Sequence, residues 1–167
     1  MKITRWGELG ILCSTHIASK TNHNQKDSCT AQDISDALNI PFQYTQQILH
    51  RLKKGKIIQA LRGPKGGYRL SRSAEEISLK DILYATEGGT FEIICESGPI
   101  YETGCQVEES RCGLQGVWRD LQKTIDAFLD ERSLAWLASK PGIVDDSNQP
   151  EHLISISNKS QLGVSGA

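Results

Sequence analysis

The segment TAQDISDALNIPFQYTQQILHRLKK, Thr30 to Lys54, has to end one helix and begin another within three residues. Thr30 and Asp33 stand at the spacing of a capping box, in which the hydroxyl accepts from the third helical amide and the carboxylate returns to the cap. The short helix that follows ends near Leu38. Asn39, Ile40 and Pro41 make the turn, and Pro41 suits the first position of a second helix, where its missing N–H is not needed. In that second helix Tyr44, Ile48 and Leu52 recur every fourth residue and face inward. Gln43, Gln46, Gln47, His50, Arg51 and Lys54 are left outside. Two short helices joined by a tight turn have helix-turn-helix geometry.

Charge sharpens that expectation. From Ala37 to Ala74 there is no Asp or Glu, while Arg51, Lys53, Lys54, Lys56, Arg62, Lys65, Arg69 and Arg72 are all cationic. The whole chain of 167 residues carries a net charge of only −1, so a strongly basic module sits inside an otherwise acidic chain. A polyanion calls for such a module, because each phosphate contact releases condensed counterions. After Gly55, Ile57 to Arg62 and Tyr68 to Ser71 read as two short strands. They flank Gly63-Pro64-Lys65-Gly66-Gly67, a tight basic turn able to enter a minor groove. A helix-turn-helix followed by a basic hairpin is a winged helix. A solvated face is the bland reading of any charge run, but here the acid-free interval, the outward glutamines and the basic turn coincide. Double-stranded DNA is the expected partner, with Gln43, Tyr44, Gln46, Gln47, His50, Arg51, Lys54, Arg62 and Lys65 as candidate contacts.

The flanking segments complete a mainly α fold with a small β wing. Ile3, Trp6, Gly10, Cys13 and Ile17 predict a first helix over residues 2–20 with one buried stripe; Glu8 falls off it, on the side of Thr4, Arg5 and Thr15. Lys20 to Ser28 reads as a polar loop. Ser78 caps a helix over Leu79 to Thr86, with Ile82 and Leu83 buried and Glu87-Gly88-Gly89 ending it. Glu87 to Glu109 then holds six glutamates and no Lys or Arg. A long helix follows from Gly113 to about Glu131, where Leu114, Val117, Leu121, Ile125 and Phe128 form a stripe suited to a two-fold dimer contact. Ser133 to Ser139 adds one or two helical turns. The division is thus a winged helix-turn-helix domain over 1–88, an acidic cysteine-bearing loop over 89–112, a dimerisation helix with its following turns over 113–139, and a disordered tail over 140–167.

Several function classes drop out. No apolar run is long enough for a membrane span, and MKITRWGELG is not a secretory leader. Five unevenly spaced cysteines do not suggest a disulfide framework, so a reduced, cytoplasmic chain is expected. His16, His23, His50 and His152 are scattered, and neither a nucleophile–base pattern nor a nucleotide-binding motif is present, so an enzyme is not expected. Cys13 lies on the buried stripe and Cys29 precedes a helix cap; both read as packing residues. Cys95, Cys105 and Cys112 fall within 18 residues of one loop, and three thiolates converging there suit an iron–sulfur cluster or zinc, with a fourth ligand from elsewhere.

The opening MKIT, the span DISDALNIPFQYTQQILHRLKKGKII, and the segments LRGPKGGYRL, SLKDILYATEG and CGLQGVWRDL together resemble the Rrf-type family of bacterial winged-helix regulators, over residues 1 to about 139. The resemblance implies a homodimer on an imperfect palindrome. It also implies an iron–sulfur cluster, 4Fe–4S in preference to 2Fe–2S, held by Cys95, Cys105 and Cys112 with a non-cysteine fourth ligand. One branch of the family places a histidine ligand three residues after the last cysteine, where this chain has Gln115. Another branch takes an acidic residue from the first helix of the partner subunit, and Glu8 stands at the matching place. Two other readings stay open: a cluster-free regulator controlled by a partner protein, and a redox or cluster-carrying protein that uses its winged helix as an interaction module.

Overall fold

The computed structural model describes residues 4–21, 28–63, 66–90 and 113–140. In chain order they form α1 (Arg5–Thr21), α2 (Ala31–Leu38), α3 (Phe42–Lys54), β1 (Ile58–Leu61), β2 (Gly67–Leu70), α4 (Leu79–Glu87), α5 (Gly113–Asp130) and α6 (Leu134–Ala138). Both helix starts expected from hydroxyl caps are present as complete capping boxes, Thr30 with Asp33 and Ser78 with Asp81. Pro41 stands one place earlier than expected: it is the cap of α3, and its carbonyl accepts from the amides of Tyr44 and Thr45, both at 2.9 Å. The wing is a two-stranded antiparallel sheet that pairs Ile58 with Leu70 and Leu61 with Gly67. Cys29 extends it by one bridge, exchanging backbone bonds with Tyr68 at 3.0 and 2.8 Å. A Cβ at Gly67 would lie 2.6 Å from the Cys29 carbonyl oxygen, so this join needs glycine.

Helix α1 is the hub, in contact with α2, α3, α4, α6 and β2. That enclosure corrects one expectation. Thr15 does not share an exposed side with Glu8 but is fully buried, because α1 is wrapped by several elements rather than laid along one face. The buried hydroxyls of Ser14 and Thr15 are satisfied inside their own helix, donating to the carbonyls of Gly10 and Ile11 at 2.8 and 2.9 Å. Cys13 and Cys29 are buried free thiols, and burial alone pushes the Cys13 thiol up to about 12.

Helix α4 crosses α1 closely. A Cβ on Gly10 would meet the Thr86 side chain at 2.5 Å, and one on Gly7 would meet Leu83 at 2.7 Å. At the same crossing the Glu87 carboxylate accepts from Thr4 N, Thr4 Oγ1 and Gly7 N at 2.8, 3.1 and 2.9 Å. Glu87 therefore closes the N-terminus of α1, although in the sequence it looks like the first member of the acidic loop.

Helix α5 is docked at its C-terminal end. Ile125 and Leu129 join the core, Tyr84 Oη donates to Asp126 at 3.0 Å, and Ser78 Oγ donates to Asp130 at 3.2 Å. Leu114 and Val117, both 59% exposed, and Phe128, 55% exposed, leave most of their apolar surface open among the described residues. No helix among these residues is long and apolar enough to cross a membrane.

Candidate nucleic-acid interface

The second helix of the helix-turn-helix, α3, is amphipathic by construction. Thr45, Ile48, Leu49 and Leu52 are buried, and the next face round is polar. On it Gln43, Gln46, Gln47, His50 and Arg51 line one open hollow of the surface. The helix has no acid in its first turn and carries Arg51, Lys53 and Lys54 in its last. An exposed row of amides, an imidazole and cations, with no carboxylate to repel a phosphate, can bond base edges near the start of the helix and backbone phosphates near its end.

The candidate contacts do not share one environment. Gln43, Gln46, Gln47, His50, Lys54 and Arg62 are exposed, and none of the three cations Lys53, Lys54 and Arg62 has an ion-pair partner among the described residues. Tyr44 is half-buried: its ring lies 4.4 Å from that of Trp6, tilted by 39°. Arg51, although exposed, places its guanidinium carbon over the Trp6 ring, 4.3 Å from the centroid, and donates to the Thr86 carbonyl. Arg72 is likewise occupied, by the Asp81 carboxylate and the Glu76 and Lys56 carbonyls. The basic interval is thus divided between cations that brace the fold and cations that face solvent. Lys65, in the turn of the wing, lies outside the described residues; beside it Gly63 takes a φ of 115°, which only glycine adopts readily.

Of the candidate metal ligands, Cys95, Cys105 and Cys112 lie outside the described residues, as does most of the 89–112 loop and the tail beyond Lys140. Glu8 is exposed in the first turn of α1 and has no side-chain partner among the described residues. Among those residues no three His, Cys, Asp or Glu side chains gather to hold a metal. Gln115, where one family branch has its histidine, is only 5% exposed and already engaged.

Sequence reasoning missed the junction of Trp6, Tyr44, Arg51 and Thr86. Its members are spread over 80 residues, and the local hint was an aromatic residue second in the α1 stripe.

Comparison with known proteins agrees with this architecture. The profile of the Rrf2 family, described as an iron-dependent transcriptional regulator, matches residues 3–140. The HTH-type transcriptional regulator IscR of Photorhabdus laumondii is 28% identical over 152 residues, spanning 91% of this chain and 88% of its own. IscR of Sodalis glossinidius is 30% identical over 145 residues, 87% of this chain and 83% of that one. Among solved structures, the oxidized form of Staphylococcus aureus CymR matches 84% of this chain and 98% of its own, with a TM-score of 0.60 and 27% identity. IscR of T. potens covers 99% of this chain and 94% of its own with a TM-score of 0.59; at 19% identity that likeness is one of fold. The chain is a member of the Rrf2 family of winged-helix transcriptional regulators, and a regulator rather than an enzyme.

Proposed function

We propose that this regulator binds double-stranded DNA as a homodimer and that an iron–sulfur cluster sets how tightly it binds. The observation that carries the reading is the outer face of α3, where amides are exposed together with Lys53 and Lys54, cations with no ion-pair partner among the described residues, and where the helix has no carboxylate. Gln43, Gln46 and Gln47 meet base edges in the major groove; His50, Lys54, Arg62 and Lys65 hold phosphates or the minor groove. The uncovered apolar residues of α5, Leu114, Val117, Leu121 and Phe128, supply a self-complementary contact for a second copy. A two-fold dimer of this kind presents two α3 helices to an imperfect palindrome.

For the cluster, the donors are the thiolates of Cys95, Cys105 and Cys112 with a carboxylate, Glu8 of the partner subunit, and 4Fe–4S is the nuclearity favoured. Two features support the carboxylate over an amide. Glu8 is exposed and unengaged among the described residues, which leaves it open to meet a second chain, whereas Gln115 is buried and engaged within its own. A bound cluster supplies a centre that reacts with small oxidants and diatomic gases. The residues of this chain would convert its state into a change in the pose of α1, and hence in the spacing of the recognition helices.

The test is anaerobic purification followed by iron and acid-labile sulfide analysis, with selection of bound duplexes from a random library in parallel. The reading expects equal iron and sulfide, lost in Cys105→Ala and destabilised in Glu8→Ala with the apo-dimer intact. It also expects an enriched inverted repeat. Zinc, or no metal after reconstitution, would remove the cluster and leave a regulator controlled by a partner protein. Failure to enrich any inverted repeat would remove the operator reading itself.

A further inference from the structure

We infer that Arg51 is a positioning residue of the recognition helix, locked by Trp6 and the Thr86 carbonyl, and not one of its phosphate contacts. The inference rests on the DNA-binding reading above and refines which cations of α3 act on DNA directly.

Three helices meet at this side chain. Tyr44 and Arg51 are seven residues apart on α3, two helical turns, so both project from one side of it. The Trp6 indole of α1 lies against both, 4.4 Å from the Tyr44 ring and 4.3 Å from the Arg51 guanidinium carbon. The guanidinium then reaches α4, where Nη1 donates to the carbonyl of Thr86. That carbonyl belongs to the last turn of α4 and has no acceptor role inside its own helix, so a cation there both satisfies it and meets the negative end of the helix dipole. Planarity is the property in use: one face covers the indole while the edge donates. Lysine has neither the plane nor the fork. To swing its guanidinium out to a phosphate, Arg51 would have to give up the Trp6 face and the Nη1 bond to the Thr86 carbonyl. Lys53 and Lys54, next along the helix, are exposed and have no partner to leave among the described residues. The trio therefore fixes the roll of α3 against the α1–α4 crossing, and that roll decides which glutamines face the groove.

The experiment compares variants of the full chain on the inverted repeat recovered by selection and on a scrambled duplex of equal length, each over a salt series. Lys54→Gln is the control for a phosphate contact. It removes one contact per subunit, so the plot of log affinity against log salt flattens by about 1.8 and both duplexes weaken together. Arg51→Gln is expected to leave that slope unchanged, leave the scrambled duplex bound as before, and lower selectivity for the repeat by about tenfold or more. Arg51→Lys should not restore it, and Trp6→Leu should reproduce it while Trp6→Phe, which keeps an aromatic face, retains most of it. Melting curves identify any variant that fails to fold; if Arg51→Gln is one, the Trp6 pair decides. A flattened slope in Arg51→Gln with rescue by Arg51→Lys would overturn the inference, as would selectivity untouched by both Arg51→Gln and Trp6→Leu. If the parent protein itself shows no salt-dependent binding, the fault lies with the DNA-binding reading and not with the assignment of Arg51.

Discussion

Replacing Glu87 should cost this protein more than any other exposed-looking acid. Its Oε1 accepts three hydrogen bonds at 2.8, 3.1 and 2.9 Å, from Thr4 N, Thr4 Oγ1 and Gly7 N. Thr4 Oγ1 in turn accepts from Trp6 N at 3.2 Å, so the first turn of α1 hangs on this carboxylate. Hydrogen bonds to a charged group contribute roughly 1.5–3 kcal/mol where they are sheltered, and a carboxylate at a helix N-terminus adds about 0.3–1 kcal/mol. The three bonds share one acceptor and the site is only partly buried, so they do not sum; water would recover part of the loss. A net cost of about 2–3 kcal/mol for Glu87→Ala is the result, which for a chain of this size lowers the melting temperature by about 5–10 °C. Glu87→Gln keeps an acceptor oxygen in place and should lose roughly a third of that. Calorimetric melting of the three proteins at pH 7 measures both steps. An alanine variant that melts within a degree of the parent would refute the argument, since it would mean that the α1 amides are as well served by solvent as by Glu87.

On the homodimer proposed above, Val117→Lys on α5 places a cation on the uncovered stripe of each subunit and should weaken the association by about 2–3 kcal/mol, near a hundredfold; sedimentation that shows an undiminished dimer would move the interface elsewhere. Asp33→Asn tests the α2 capping box through pH. The Thr30 hydroxyl and amide hold the Asp33 carboxyl below its ordinary value of 3.8, so its stabilisation is present above that pH and lost as the group protonates below it. The melting gap between parent and variant should be open at pH 7, small because the site is exposed, and should narrow as the pH falls below 3.8. Cys13 should resist alkylation: with its thiol near 12, only about one molecule in ten thousand is thiolate at pH 8, and burial shields even that one. Mass spectrometry of iodoacetamide-treated native protein should find Cys13 unmodified until denaturant is added.

What could be read from the sequence was what depends on near neighbours. The Thr30–Asp33 and Ser78 caps, the Asn39–Pro41 turn and the Ile48–Leu52 face each involve residues within four places of one another, and the structure places all of them within a residue of expectation. The first strand is shorter than expected by one residue at each end and the second is displaced by one residue toward the turn, because pairing and not propensity sets the limits. Thr15 misled because its burial is decided by elements that pack from far along the chain, and a polar side chain carries no local sign of that. The same holds for Glu87, which composition assigns to an acidic loop and contact assigns to α1.

Arg51 shows the limit most clearly, because residue type and exposure both argued for a phosphate contact and neither records what the guanidinium is already doing. Its partners Trp6 and Thr86 are 45 and 35 residues away, beyond any helical period. The placement has a consequence for how a signal would travel. Trp6 is two residues from Glu8 in the same turn of α1, and that turn is fastened to α4 by Glu87 and to α3 by the Trp6 stack. A pull on Glu8 therefore has no slack to lose before it reaches the recognition helix: Gly7 and Gly10 bring α1 and α4 too close for one to slide without the other. Loosening the stack should uncouple the ends of this path without unfolding it. Trp6→Leu would then leave any ligand at Glu8 bound while making operator selectivity indifferent to whether it is there.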